Sequence, residues 1–429
     1  MTITFLPHQQ KALDVMKNED VGQIIVPTGG GKTMIMMEDL LRDIDYSYGQ
    51  PTVSIVVAPR LMLSQQLCDD FTEHCRNRKN FNKNKIQIVN VHSGKGSKFF
   101  TTTKPRDIKD VVRFNLLNDR HTVLFTTYHS LNRIVDCNMR VHNVYYDESH
   151  NSTAKSFYTS VEAMAKRTNR CYYFTATPKH SYRHDRGMNN DDVYGKIICD
   201  IPAPELVEKG CILPPTVVPY DKAHDMEFSK ETAHVHHALT VKDVVDNVVK
   251  DTTAKIMVTV PSSRVLNNMI GHTTLLKTLK DRGYDVLHIT SKFGAYVNKT
   301  KVNRTKFFET LKEWSNDVGR KFVLFHYSIL AEGINVAGLT HTIFLRNLNI
   351  IEMAQSIGRV IRLDKDDRQD IQSGKIAAGA LQFYRKSTGY CVIPTSKHYN
   401  KNIHGRIERI VHDIFVEGKF STGFCYIVL

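Results

Sequence analysis

The stretch Val26-Pro27-Thr28-Gly29-Gly30-Gly31-Lys32-Thr33 lies between a short apolar run, residues 23–26, and a helix-forming segment, residues 34–42. A glycine-rich turn that leads from a strand into a helix can direct backbone N–H groups at a phosphate, and the helix N-terminus adds positive potential. In this context Lys32 is predicted to reach the β- and γ-phosphates of a nucleotide, and the Thr33 hydroxyl to ligate Mg²⁺. Pro27 stands where the usual phosphate-loop pattern has glycine. The alternative interpretation is an incidental glycine-rich turn.

An acidic pair follows a later apolar run, in the stretch Tyr145-Tyr146-Asp147-Glu148-Ser149-His150. Because the carboxyl ends of parallel strands share one edge of a sheet, Asp147 and Glu148 can face the same phosphates as Lys32. We predict that Asp147 holds Mg²⁺ through water and that Glu148 orients and deprotonates an attacking water. Alone, such a pair is usually a solvated turn. Together with the phosphate loop, it is a catalytic candidate.

Short runs rich in Val and Ile recur along the chain, separated by turns and by segments with helical periodicity. They predict buried parallel strands with crossover helices, in two series: 23–26, 53–58, 123–126, 144–146 and 172–175, then 255–260, 285–290, 322–325 and 342–345. Prolines between residues 201 and 215 indicate a passage between the series. The sequence thus predicts an α/β chain with domains at 1–205 and 206–429, and the tail from about residue 375 stays unassigned.

The composition is that of a globular, basic protein. The 429 residues are 41% hydrophobic, and 58 Lys and Arg against 44 Asp and Glu give a net charge of +14. A positive field favours a polyanionic partner, either nucleic acid or an acidic membrane surface. The eight cysteines lack metal-ligand spacing, and no apolar run approaches the length of a membrane span. We therefore expect a cytoplasmic protein with reduced thiols and no membrane partner, and we assign no metal site other than that of the nucleotide Mg²⁺. The oligomeric state is left open and is compatible with a monomer.

The loop and the D-E-x-H box together resemble the superfamily 2 helicases, and other motifs of that family occur in its order. Residues 6–12, L-P-H-Q-Q-K-A, resemble the adenine-reading segment, which implies a base contact for Gln9. Residues 58–60, A-P-R, and 126–128, T-T-Y, resemble nucleic-acid contacts of the first domain. Residues 174–178, F-T-A-T-P, resemble the element that links hydrolysis to nucleic acid. The resemblance implies nucleic-acid contacts for Arg60 and Thr127, and coupling roles for His150, Thr175 and Thr177.

Two motifs of the second half complete the resemblance. Residues 331–335, A-E-G-I-N, resemble the E-G-[VI]-D element and imply that Gly333 lies at the nucleotide. Residues 355–362, Q-S-I-G-R-V-I-R, resemble Q-x-x-G-R-x-x-R. This match implies a catalytic role for Gln355 and arginine fingers at Arg359 and Arg362. Their spacing of three predicts that both arginines share one helical face. The alternative is a solvated basic face that pairs with the acidic residues that follow.

Within the superfamily, residues 205–210 and the I-G-R-V-I-R form of the last motif look most like one group. It contains type III restriction-enzyme motor subunits, XPB-like helicases and UvsW-like phage helicases. The resemblance implies two tandem RecA-like domains, ATP and Mg²⁺ as cofactors, and unwinding or remodelling of duplex or branched DNA, in the host cytoplasm if the protein is phage-encoded. Ser149 replaces the usual Ala, and Asn335 the usual Asp. An RNA helicase, or a nucleotide-gated binding module that does not unwind, remains an alternative.

A basic stretch between residues 74 and 106 carries nine Lys and Arg without any Asp or Glu, and phenylalanines are interspersed. Such a stretch can neutralise phosphates and stack bases, so Lys95 and Lys98 are predicted nucleic-acid contacts, with DNA favoured over RNA by the resemblance. A second basic stretch occupies residues 292–306 in the other half of the chain. The alternative for the first stretch is a solvated surface with aromatic residues in the core.

Overall fold

A computed structural model describes residues 5–47, 50–78, 85–94, 97–183, 185–222, 227–327, 336–395, 399, 402–420 and 422–424. Contacts divide this part of the chain into two compact units between Ile201 and Pro202, and the described residues from Thr422 onward belong to the first unit. The domain boundary at 205/206 stays a prediction. No helix within the described residues is long and apolar enough to cross a membrane.

The first unit alternates strands and helices along the chain. Its elements are α1 (Pro7–Met16), β1 (Val21–Ile25), α2 (Lys32–Tyr46), β2 (Val53–Ala58), α3 (Leu61–Asn77), β3 (Ile86–Val91), β4 (Phe100–Thr101), α4 (Pro105–Leu117), β5 (His121–Thr127), α5 (Leu131–Val135), β6 (Val141–Tyr146), α6 (Lys155–Ala165), β7 (Thr168–Thr175), β8 (Lys179–His180), α7 (Asp191–Tyr194) and β9 (Ile197–Asp200). In the described residues an eight-stranded sheet has the order β4-β3-β5-β2-β6-β7-β1-β9. All its strand pairs are parallel.

The second unit repeats the architecture with one variation. Its elements are α8 (Ala203–Glu208), β10 (Pro215–Tyr220), α9 (Ala233–Asn247), β11 (Lys255–Thr259), α10 (Ser263–Gly271), α11 (Leu275–Asp281), β12 (Asp285–Thr290), β13 (Gly294–Val297), β14 (Thr300–Val302), α12 (Arg304–Asn316), β15 (Phe322–His326), β16 (His341–Phe344), α13 (Ile350–Val360), α14 (Lys365–Gln372), β17 (Gly389–Pro394) and α15 (Asn402–Val411). Its sheet, again eight-stranded over the described residues, has the order β10-β17-β16-β11-β15-β12-β13-β14. Among the strand pairs of the described residues, β12 with β13 and β13 with β14 are antiparallel, and the other pairs of this sheet are parallel. The short strand β18 (Gly423–Phe424) pairs with β8 of the first unit.

The central strands are buried at every position, as in β2 and β5 of the first unit and β11 and β15 of the second. A parallel strand is covered by helices on both faces, which requires a continuous apolar run rather than an alternating pattern. Polar side chains cap the N-termini of several helices. Ser262 caps α10, Asn303 caps α12 and Asn349 caps α13, and each accepts a hydrogen bond from a backbone N–H of the first turn. The α/β fold with mainly parallel sheets is therefore confirmed.

Candidate nucleotide-hydrolysis site

The glycine-rich loop connects β1 to α2. Gly29 and Gly31 have φ angles of 94° and 84°, in the left-handed region that disfavours side chains. A Cβ added at Gly31 would also lie 2.4 Å from Gln9 Nε2. Pro27 accepts a hydrogen bond from Gly30 N–H at 3.0 Å through its carbonyl and has no positive φ, so this conformation does not require the glycine of the usual pattern.

Lys32 is the first residue of α2 and is buried. Its Nζ donates a hydrogen bond to Val26 O at 3.3 Å, so the side chain folds back over the loop that precedes it. Thr33 follows in the first helical turn and is half-buried. The positive end of the helix therefore lies beside the loop, as anion binding at a helix N-terminus requires.

Helix α1 packs against the loop through two neighbouring side chains. His8 Nε2 lies 2.8 Å from Gly30 O, and Gln9 accepts a hydrogen bond from Leu6 N–H at 3.0 Å. Gln9 itself lies beside Gly31, because a Cβ added at Gly31 would lie 2.4 Å from Gln9 Nε2. The contact of His8 was not predicted, although its position next to Gln9 in the adenine-reading segment was a signal that could have suggested it.

The acidic pair follows directly after β6. Asp147 N–H donates to Val57 O of β2 at 2.9 Å, and Tyr128 Oη donates to Asp147 O at 3.0 Å. Glu148 has a φ of 44°, and a 3₁₀ turn at Ser149–Thr153 follows it. Both acidic residues are buried. The backbone of the box is thus fixed on both sides, and the chain turns sharply at Glu148.

Burial and the neighbouring Glu148 carboxylate raise the pKa of Asp147, Lys32 acts against both effects, and the resulting pKa is about 7. One lysine therefore does not balance this pair, and a divalent cation would stabilise the charged form of Asp147. A carboxylate and a hydroxyl are oxygen ligands of the kind that Mg²⁺ prefers. Asp147 and Thr33 fit the predicted Mg²⁺ on this ground.

Hydrogen bonds connect the acidic box to the end of β7. His150 Nδ1 lies 3.1 Å from Thr175 Oγ1, and Thr177 N–H donates to the same Oγ1 at 3.1 Å. Glu148 Oε2 is 3.6 Å from His150 Nδ1. The three predicted coupling residues therefore form one buried chain of contacts that begins at the predicted catalytic base.

A second network fastens α2 to the strands that carry the site. Tyr145 Oη donates to Asp39 Oδ2 of α2 at 2.7 Å, and Arg170 of β7 donates to Asp39 at 3.3 Å and to Asp43 at 3.1 Å. Burial raises the pKa of Asp39, while Arg170 lowers it. Since Lys32 begins α2 and Asp147 directly follows β6, this network holds the helix that carries Lys32 against the strand that precedes Asp147. The sequence did not predict it, because its members are far apart along the chain.

The predicted nucleic-acid contacts of the first unit differ in exposure. Arg60 precedes α3 and is half-buried, whereas Lys98 is exposed. Thr127, the last residue of β5, is buried, and its hydroxyl donates to Ser130 Oγ at 3.4 Å. Lys95 lies outside the described residues. Because the sheet is all parallel, Arg60, which follows β2, and Thr127, which ends β5, lie at the carboxyl edge that also carries the phosphate loop, whereas Lys98 lies two residues before β4.

In the second unit Gln355 and Arg359 lie on α13 and are buried. Arg362 does not share their helical face, because α13 ends at Val360 and Arg362 forms an antiparallel bridge with Ile212. The prediction of a common helical face for the two arginines is therefore wrong. Gly333 and its A-E-G-I-N motif lie outside the described residues.

A phosphate loop and a buried acidic pair at the carboxyl edge of a parallel sheet define the class of P-loop nucleoside triphosphate hydrolases. Two family models then match the chain: "Type III restriction enzyme, res subunit" over residues 2–180, and "Helicase conserved C-terminal domain" over residues 240–364. Together these two matches identify the chain as a superfamily 2 helicase of the group that resembles type III restriction-enzyme motor subunits. A comparison with curated proteins finds no match.

Solved structures share the fold. The Type ISP restriction-modification enzyme LlaBIII bound to DNA is 15% identical with a TM-score of 0.68, over 99% of this chain and 31% of that chain. A nuclease-deletion mutant of the Type ISP enzyme LlaGI with a DNA substrate mimic is 16% identical with a TM-score of 0.63, over 97% and 29%. A DEAD-box helicase bound to ssRNA and UDP-BeF is 15% identical with a TM-score of 0.62, over 98% and 75%. These matches confirm the tandem RecA-like architecture, and the chain spans about a third of the length of the two Type ISP enzymes.

Proposed function

We propose that this chain is an ATP-driven DNA translocase that remodels or unwinds duplex or branched DNA. The observation that carries the proposal is the site of the first unit, where Lys32 is close enough to the buried Asp147 to lower the pKa of this carboxyl. A phosphate-binding lysine beside a buried acidic pair is the arrangement that transfer of a phosphoryl group to water requires.

Several residues of the chain have separate roles in the hydrolysis of ATP. Lys32 and the backbone of the loop bind the β- and γ-phosphates, while Glu148 orients the attacking water and accepts its proton. A Mg²⁺ ion held by Asp147 and Thr33 would neutralise charge on the phosphates. Arg359 and Arg362 of the second unit, with Gln355, stabilise the charge that develops on the transferred group.

The DNA preference rests on the family model named for the type III restriction enzyme and on the two fold relatives bound to DNA or to a DNA mimic. A net charge of +14 suits either nucleic acid. An RNA helicase is the second candidate, because a DEAD-box helicase bound to ssRNA has the same fold over 98% of this chain.

One screen tests these assignments. ATP turnover of the full chain is measured without nucleic acid and with single-stranded DNA, duplex DNA, forked DNA and RNA. We expect the largest stimulation with duplex or forked DNA, accompanied by separation or displacement of a labelled strand. Stimulation by RNA alone would replace the proposal by an RNA helicase. Turnover that no nucleic acid changes, together with ATP-dependent binding, would indicate a nucleotide-gated binding module.

The first prediction concerns coupling. Thr175→Val keeps the size of the side chain but removes the hydroxyl that contacts His150 and Thr177 N–H. We expect the ratio of DNA-stimulated to basal turnover to fall by about tenfold, the scale of one buried hydrogen bond, with ATP affinity unchanged. Thr122→Val is the matched control, because this buried threonine of β5 accepts a hydrogen bond from Asn115 at 3.1 Å, away from the acidic box. An unchanged ratio in Thr175→Val would remove the coupling role.

The second prediction concerns the basic stretch. Lys98 lies shortly before β4, next to Ser97, whose Oγ accepts hydrogen bonds from Asn90 at 2.6 Å and from Phe99 N–H at 3.1 Å. If Lys98 contacts a phosphate, Lys98→Ala should flatten the slope of log affinity against log salt by about 0.7 for a single strand or about 0.9 for duplex DNA. Basal turnover should not change.

Binding is measured by titration at several salt concentrations, with DNAs of unrelated sequence. Lys17→Ala is the control, since Lys17 is an exposed lysine that follows α1 and precedes Glu19 and Asp20. An equal slope in Lys98→Ala and in the wild type would identify Lys98 as ordinary solvated surface.

A further inference from the structure

A lysine from the tail that the sequence left unassigned lies against the C-terminal end of α13. Lys386 Nζ is 2.5 Å from Leu339 O, 2.6 Å from Val360 O and 2.9 Å from Arg362 O. A charged ammonium has three N–H donors, so these carbonyls use the whole group. Val360 is the last residue of α13, and Arg362 is a predicted arginine finger.

The backbone around Lys386 is itself fixed. The N–H groups of Arg385 and Lys386 donate to the fully buried carboxylate of Asp367 at 3.0 Å and 3.2 Å. A Cβ added at Gly389 would lie 2.4 Å from Val360 O, so β17 begins directly against the end of α13. The lysine is thus presented from a rigid segment and not from a free loop.

The groups around Lys386 act on its charge in both directions. Burial lowers the pKa of Lys386 and the Arg362 guanidinium adds to this effect, while the carboxylates of Asp364, Asp251 and Asp367 oppose it, and the resulting pKa is about 7. The last carbonyls of a helix form the negative end of its dipole and lack partners within the helix. An ammonium at this place satisfies Val360 O and interacts favourably with the dipole.

We propose that Lys386 is a positioning residue for Arg362. Its ammonium binds the carbonyl of Arg362 together with those of Val360, at the end of α13, and Leu339, and it thereby fixes the backbone that carries the Arg362 guanidinium. Lys386 reaches the reaction only through Arg362. The inference rests on the proposed function, in which Arg362 stabilises the transferred phosphoryl group.

The test is Lys386→Met in the full chain, which keeps the apolar stem and removes the ammonium. We expect kcat at saturating ATP and nucleic acid to fall by about a hundredfold, the scale of a small misplacement of a catalytic group, with ATP affinity unchanged. Lys375→Met is the matched control, because Lys375 is exposed and pairs at the surface with Asp370 at 3.2 Å. It should retain the kcat of the wild type. Lys386→Gln, which keeps two N–H donors, should lie between Lys386→Met and the wild type.

A double-mutant cycle separates positioning from a general structural role. In an Arg362→Ala background, Lys386→Met should lower kcat no further, because the group that it positions is gone. Additive losses, or a wild-type kcat in Lys386→Met alone, would overturn the inference. If Lys386→Met lowers the melting temperature below the assay range, the same cycle is run with Lys386→Gln. A wild-type chain without ATP turnover would instead refute the proposed function.

Discussion

Glu148→Gln is expected to lower ATP turnover by about 10²- to 10⁴-fold while ATP binding is retained. The amide has the size of the carboxylate but cannot accept the proton of the attacking water. Glu148 is buried, but glutamine has nearly the same volume, so the substitution leaves the fold of the box intact. The measurement compares turnover at saturating nucleic acid with the equilibrium affinity for ATP, both in the full chain.

Glu162→Gln provides a matched control. Glu162 lies on α6 and forms a surface ion pair with Lys166 at 2.9 Å, a contact that contributes at most about 1 kcal/mol to stability. Its turnover should equal that of the wild type. If Glu148→Gln fails to bind ATP, Glu148 has a structural role instead. If it binds ATP and turns over normally, another group serves as the base.

The central strands could be predicted from the sequence because each is a continuous apolar run bounded by turns. The bounds predicted for β2 and β12 agree with the structure, and the predicted runs near β5, β6 and β7 lie inside longer strands. In a parallel sheet that is covered on both faces, burial alone requires such runs. The apolar run therefore indicates a buried strand even when the neighbouring strands are unknown.

The tail after residue 375 shows where this reasoning stops. Strand β17 lies between β10, which precedes it by far in the chain, and β16. Its place in the sheet depends on partners that no local pattern reveals. The antiparallel pair β13 and β14 was also missed, since polar residues and Gly294 interrupt the apolar pattern there.

Motif spacing was enough to name the candidate site residues of the first unit, but it did not predict the contacts that hold these residues in place. Motifs name groups that touch a ligand, whereas the Tyr145 and Asp39 pair and the bond between His8 and Gly30 join segments that are distant in sequence. The error at Arg362 has a related cause. A spacing of three implies a shared face only inside a helix, and α13 ends before Arg362.

Arg362→Ala is expected to lower turnover at saturating ATP and nucleic acid on the order of a thousandfold or more, the scale of an arginine finger. ATP affinity should change little, because the phosphate loop, Lys32 and Gln9 belong to the first unit and Arg362 to the second. A planar, permanently charged guanidinium suits the oxygens of a transferring phosphoryl group, so the loss should appear in kcat and not in binding.

Arg368→Ala separates this effect from the loss of any basic side chain nearby, since Arg368 is an exposed arginine on the following helix, α14. Its kcat should equal that of the wild type. Arg362→Lys adds a second comparison, because lysine keeps the charge but not the planar fork, and it should recover only a small part of the lost kcat. Equal turnover in Arg362→Ala and the wild type would mean that the second unit supplies no catalytic charge through this residue. Hydrolysis would then depend on the first unit and on Arg359.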